Sequence, residues 1–184
     1  MVRIVIRLAT GAVTVSDIDL NALFTALDSE RQARSLSWSG LTREVNALFG
    51  DVPCPPIATS TITTLKTKPE VIGNAALQLL VWLERTPESF IPGHNDKAKS
   101  EEVLPRLRPD RILRFDTGAI FRALDAARVE RHLTWRQVAE EIGGVTAAQL
   151  TRFSKGAGIG IVAVVRIARW LGRPVASFTV ASPL

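Results

Sequence analysis

Residues 24–46, FTALDSERQARSLSWSGLTREVN, lie over residues 121–143, FRALDAARVERHLTWRQVAEEIG, without a gap and at a constant offset of 97. Nine of the 23 pairs are identical: Phe24 with Phe121, Ala26 with Ala123, Leu27 with Leu124, Asp28 with Asp125, Arg31 with Arg128, Arg34 with Arg131, Leu36 with Leu133, Trp38 with Trp135 and Glu44 with Glu141. Further along, residues 57–90 lie over 145–178 at an offset of 88, which pairs Trp82 with Trp170, Arg85 with Arg173 and Phe90 with Phe178. All four tryptophans fall into matched pairs. A repeat of this kind fixes the architecture before any element is read, because both copies must find the same fold. The change of offset puts nine extra residues of the first copy within ALFGDVPCPP, 47–56, whose glycine and prolines mark a loop.

The second copy is the more clearly punctuated. Asp116 or Thr117 caps a helix whose apolar positions Ile120, Ala123, Leu124 and Ala127 follow helical spacing up to Arg131. Thr134 with Gln137 three positions later has capping-box spacing, Val138, Ala139 and Ile142 form the buried face, and Gly143-Gly144 ends the second helix. Thr146 caps a short third helix in which Leu150 and Phe153 face inward while Ala147, Ala148, Gln149, Thr151 and Arg152 are left toward solvent. After a loop at Gly156–Gly160 comes a Val- and Ile-rich fourth helix, IVAVVRIARWLG, and Pro174 to Phe178 adds a last turn. The first copy follows the same plan, with Ser37 capping its second helix and Thr59 or Ser60 opening its third. That third helix is rich in β-branched residues of poor helix propensity, so its assignment rests on the repeat. Residues 3–7, RIVIR, suggest a short N-terminal β-strand. The expected fold is therefore all-α: an extension over 1–16, a first bundle over 17–90, a linker over 91–114 and a second bundle over 115–184.

Composition narrows the function. Of 184 residues 46% are apolar, as in a folded globular chain, and one cysteine, Cys54, allows no internal disulfide framework. The two histidines, His94 and His132, form no metal-ligand spacing with it, so neither metal nor cofactor is expected. No signal peptide or membrane span is expected either, since even Ile159–Leu171 carries Arg166 and Arg169; a cytoplasmic protein is the expectation. The net charge of +5 is unevenly spread: residues 1–95 hold 8 Lys and Arg against 9 Asp and Glu, residues 96–184 hold 15 against 9. A basic half beside a neutral one fits an anionic partner, of which nucleic acid is the commonest. The Gly156–Gly160 loop follows a helix, so it is expected to be a flexible connection near the backbone of such a partner and not a phosphate cradle. The adjacent Glu140 and Glu141 are expected to form a solvated helix face. All four tryptophans are assigned to packing, Trp82 and Trp170 in the core and Trp38 and Trp135 beside a helix cap.

The stretch LTWRQVAEEIGGVTAAQLTRFSKG resembles the helix-turn-helix of the Cro and phage-repressor (Xre-type) DNA-binding family over Ala119 to about Phe178, and the repeat extends the resemblance more weakly from Leu20 through Phe90. It departs from that pattern where Gly143-Gly144 lengthens the turn and where Trp135 takes a position that is often polar. The resemblance implies two tandem repressor-like helix-turn-helix bundles that bind double-stranded DNA through the major groove. Short polar side chains at the start of an inserted helix reach base edges there. In the second copy this assigns base contacts to Thr146, Ala147, Ala148, Gln149, Thr151 and Arg152, with Gln149 suited to adenine and Arg152 to guanine, and backbone anchoring to Thr134, Arg136, Gln137 and Lys155. In the first copy the equivalent surface is Ser37, Ser39, Thr59, Ser60, Thr61, Thr63 and Thr64, followed by Lys66 and Lys68, which lacks a bidentate reader and is expected to discriminate less.

The expected function is a sequence-specific, repressor-type transcriptional regulator with two non-identical reading heads. The 24-residue linker spans at most roughly 80 Å, enough to let one chain supply both heads, although dimerisation of the chain stays open. Its Lys97, Lys99, Arg106, Arg108, Arg111 and Arg114 would lie along phosphates, enter a minor groove or be solvated. The alternative is a protein-interaction module of antitoxin or anti-activator type that grips a protein partner through the first copy or the N-terminal extension. No nucleophile, metal or phosphate site is evident, so no enzymatic activity is expected.

Overall fold

The computed structural model describes residues 17–48, 57–93, 104 and 111–183. They are mostly helical, with one small two-stranded sheet. The expected strand at 3–7, nearly all of the 47–56 loop and most of the linker lie outside them. The first copy holds α1 (Leu20–Ala33), α2 (Trp38–Ala47), α3 (Thr59–Thr63) and α4 (Gly73–Trp82), with 3-10 turns at Leu65–Thr67 and Pro87–Phe90. The second holds α5 (Thr117–Glu130), α6 (Trp135–Ile142), α7 (Ala147–Arg152) and α8 (Ile161–Trp170), with 3-10 turns at Phe153–Lys155 and Val175–Phe178. Every one of these elements begins 97 or 88 residues after its counterpart, on either side of the 47–56 insertion.

The residues that are identical in the two copies are those that fix its geometry. Asp19 and Asp116 cap α1 and α5, Asp19 accepting from the Asn21 and Ala22 amides and Asp116 from the Ala119 amide. Arg31 donates from Nη2 to Asp28 at 2.6 Å and from Nη1 to the Leu36 carbonyl; Arg128 does the same with Asp125, at 2.7 Å, and the Leu133 carbonyl. Each guanidinium thus ties the end of one helix to the turn before the next. That turn needs a left-handed residue, supplied by Ser35 and His132, both at φ 55°. The same guanidinium lies over Trp38 or Trp135, which in turn stacks on Phe24 or Phe121 at 5.2 and 5.3 Å between centroids. Such cation–ring contacts are worth about 0.5–1 kcal/mol each at exposed sites. The other tryptophan pair follows suit: Trp82 donates to Glu44 and lies under Arg34, and Trp170 donates to Glu141 and lies under Arg131. Glu141, expected to be merely solvated, is therefore a tryptophan anchor.

The core beneath these braces is formed by the predicted helical stripes, with Leu23, Leu27, Leu41 and Ile62 in the first copy and Ile120, Leu124, Val138 and Leu150 in the second all fully buried. Burial of each such side chain contributes roughly 1.5–3 kcal/mol.

Three expectations need correction. The linker does not run to residue 114, and the fold is not purely α-helical: Arg111–Phe115 forms strand β1, antiparallel to β2 (Thr179–Pro183), with Phe115 opposite Thr179 and Arg111 opposite Pro183. Ile112, Leu113 and Phe115 are buried, so Arg111 and Arg114 belong to a packed strand and not to a solvated or phosphate-following tether. The Gly156–Gly160 loop is also not a free connection. Its end is a junction between the copies, where Ile159 is buried and Gly160 forms a β-bridge with Ile72.

At that junction the backbones meet closely. Gly73 N–H donates to the Ile159 carbonyl at 2.8 Å and Ile161 N–H to the Val71 carbonyl at 3.0 Å. A β-carbon on Gly73 would stand 2.6 Å from the Ile159 oxygen, which explains the glycine. Side chains of the first copy then close gaps in the second. The Glu70 carboxylate accepts from the Val162 and Ala163 amides at the start of α8, whose own N-cap, Gly160, has no side chain to offer. Asn74 accepts from Phe115 N–H, and buried Glu88 accepts from Val175 N–H at 2.7 Å.

Candidate nucleic-acid interface

The residues singled out in the second copy gather on α6, the turn after it and α7. Thr134 caps α6 with the expected capping box: its hydroxyl accepts from Gln137 N–H, and Gln137 Oε1 accepts from Thr134 N–H at 2.8 Å. A second capping box opens α7, where Thr146 accepts from Gln149 N–H and Gln149 Oε1 accepts from Thr146 N–H at 2.8 Å. The spacing Thr-x-x-Gln occurs at both places, so this box too was available from sequence. It constrains the role open to Gln149, because a bidentate contact with adenine would have to share Oε1 with the helix start or draw it away. What Gln149 offers outward is its amide N–H2.

Leu150 and, just beyond α7, Phe153 are buried, which leaves Thr146, Ala148, Gln149, Arg152 and Lys155 exposed and Ala147 and Thr151 half-buried. Thr151 turns its hydroxyl onto the Ala148 carbonyl. Neither Arg152 nor Lys155 has an ion-pair partner among the described residues. Arg136, by contrast, is paired with Glu140 at 2.9 Å, both groups being exposed, so its role as a phosphate anchor would require parting from that carboxylate. Glu70 lines the hollow beside Gln149 and Arg152, but its oxygens accept from three amides, those of Val71, Val162 and Ala163.

The turn between α6 and α7 is held from outside. Gly143 and Gly144 both take positive φ, 71° and 67°, so the extra glycine noted in sequence is needed for the backbone path. Arg166 of α8 donates from Nη1 to the Gly143 carbonyl at 3.0 Å and packs where a Gly144 side chain would stand. Its Nε and Nη2 donate to the two oxygens of Asp17, which precedes α1 in the first copy. The hydrogen bond with Arg166 holds the Asp17 carboxyl below its usual range, against the opposing effect of partial burial.

The first copy places its candidate residues in the same positions with different chemistry. Ser37 caps α2 by accepting from Gly40 N–H, and Ser39 is hydrogen-bonded to Ser37. The cap of α3 falls on Ala58 and not on Thr59 or Ser60, so this helix starts without a side-chain cap. Thr59 is linked to Thr42 of α2, Thr63 donates to the Thr59 carbonyl and Thr64 to the Ser60 carbonyl. Ser60 and Thr61 keep hydroxyls without a partner among the described residues. Lys66 lies over the Phe24 ring, and Lys68 is exposed. Asn46, at the position of Gly143, closes the insertion by exchanging two hydrogen bonds with the backbone of Ile57.

Among the described residues no helix is long and apolar enough to cross a membrane. No protein-family model, curated protein or solved structure matches the chain.

Proposed function

We propose that the chain is a sequence-specific double-stranded DNA-binding regulator of the repressor type, acting in the cytoplasm through α6, the glycine turn and α7. The observation that carries this reading is the outer face of α7: a short helix fixed at its start by a capping box, anchored inward by Leu150 and Phe153, and presenting Ala148, the Gln149 amide and the cations Arg152 and Lys155, which have no ion-pair partner among the described residues. Small residues let the helix approach a groove closely, an arginine can take the O6 and N7 of guanine, and a flanking lysine neutralises phosphate. The resemblance to the Xre-type pattern supports the same reading. The test is binding of the purified chain to fragments of its own genome across a salt series. A discrete footprint whose affinity falls steeply with salt, with a shallower slope for Lys155→Ala, is expected. Absence of any specific footprint would overturn the reading.

A further inference from the structure

We infer that one chain occupies a complete two-part DNA site as an internal pseudo-dimer, and that this site is asymmetric, with base preference concentrated in the half under α7. The inference rests on the DNA reading proposed above and adds the form of the ligand.

Its basis is the symmetry of the junction. Ile72 and Gly160, which form the bridge, occupy equivalent positions 88 residues apart. The two bonds beside it, Gly73 N–H to Ile159 and Ile161 N–H to Val71, join equivalent donors to equivalent acceptors at the same offset. Exchanging the copies maps each bond onto the other, which is the signature of a two-fold axis through the bridge. The axis that relates α4 to α8 therefore also relates α3 to α7. Duplex DNA has two-fold axes of its own, and half-sites about 34 Å apart are what a two-fold pair of groove-entering helices meets.

Side chains at the junction break the symmetry in a way that favours pairing of unlike copies. Glu70, which caps α8, has Gly158 as its counterpart, so two second copies face to face would leave both α8 starts without that acceptor. Asp17 and Arg166 have Arg114 and Gln78 as counterparts, and Glu88 has Ala176, so neither carboxylate recurs on the other side of the junction. The junction is built for a first copy against a second copy, and one chain contains one of each.

The two halves then meet DNA with unequal chemistry. Arg152 corresponds to Thr64 and Lys155 to Thr67, and both threonines turn their hydroxyls onto backbone carbonyls. The half under α3 is left with Ser60, Thr61 and Lys68, groups suited to phosphate and shape more than to base identity.

The experiment is selection of duplexes from a random pool by the full chain, followed by the mass of the complex and hydroxyl-radical footprinting on a selected duplex. One chain per duplex, base preference in one half, and backbone protection reaching into a second half about one helical turn away are expected. Two chains per duplex, or protection confined to a single half, would overturn the inference while leaving the DNA reading intact. Failure to enrich any duplex would overturn both. Gly73→Ala sharpens the test, because its added methyl collides with the Ile159 carbonyl. With circular dichroism unchanged, the far-half protection should disappear and the near half persist, whereas an unaltered footprint would overturn the inference. If that variant does not fold, the stoichiometry and footprint of the unaltered chain decide alone.

Discussion

The third helices of the two copies occupy matching positions and differ in nearly every exposed residue. α7 begins at a threonine whose hydroxyl and paired glutamine satisfy two amides, whereas α3 begins at Ala58 with no side chain to do so. α7 ends on Arg152, with Lys155 just beyond, and the corresponding residues of α3 are threonines engaged with their own helix. The buried positions hardly differ, with Leu150 and Phe153 matched by Ile62 and Leu65. The lesson is that the inward face maintains the fold in both copies while the outward face is free to specialise, and in this chain only α7 carries an arginine on that face, the lysines of the first copy standing beyond α3 at positions 66 and 68.

The largest effect that would break this comparison is on binding. Arg152→Ala should cost about 1–3 kcal/mol of affinity for a selected duplex, and Thr64→Ala at the matching position should change it less than about twofold. Fluorescence anisotropy at constant salt measures both, and equal losses would show that the copies are functionally alike. Stability is next. Thr146→Ala removes the cap of α7 and should destabilise the chain by about 1 kcal/mol in urea unfolding, while Ala58→Thr supplies a cap to α3 and should stabilise it by a somewhat smaller amount. No gain from Ala58→Thr would mean that the start of α3 is satisfied by other means.

The smallest effect concerns the tie from Asp17 to Arg166. The Asp17 carboxyl titrates lower in the folded chain than in the unfolded one, so the pair stabilises the fold above the ordinary carboxylate pKa and loses that contribution as pH falls through the lowered value. Both groups are partly exposed, which limits the effect to under about 1 kcal/mol. Unfolding at pH 5 and pH 3 should show a slightly smaller acid loss for Arg166→Gln than for the unaltered chain, and Gln is the residue the first copy already has there, at position 78. An identical pH dependence would remove the ion pair from the account.

Much of this was legible in the sequence because the conserved pairs between copies carry contacts of fixed geometry. An arginine that must reach an aspartate three residues back, a carbonyl one turn ahead and a tryptophan face cannot drift, so Arg31 and Arg128 align and bring the helices with them. The bonds between copies were not legible. Nothing local to Glu70 says that its carboxylate caps a helix starting 91 residues later, and Gly160 reads as part of a glycine-rich loop until Ile72 is placed against it. Strand β1 was hidden for a related reason: Arg111 and Arg114 flank Ile112 and Leu113, and the charges suggested a tether while burial depended on a partner strand near the other end of the copy. At the candidate site the Thr-x-x-Gln spacing made both capping boxes legible, but the engagement of Gln149 with its own helix start gave it a role that residue type alone does not specify.

The carboxylate of Glu70 has a further implication for how this molecule could be dissected or diverge. A fragment beginning at Arg111 would retain every residue of α7 and yet be left with bare amides at the entry to α8 and no counter-ion for Arg166. Genetic lesions in the first half would thus show up as instability in the second. The two copies are mutually dependent partners, each free to change its outer face only so long as it keeps supplying what the other lacks.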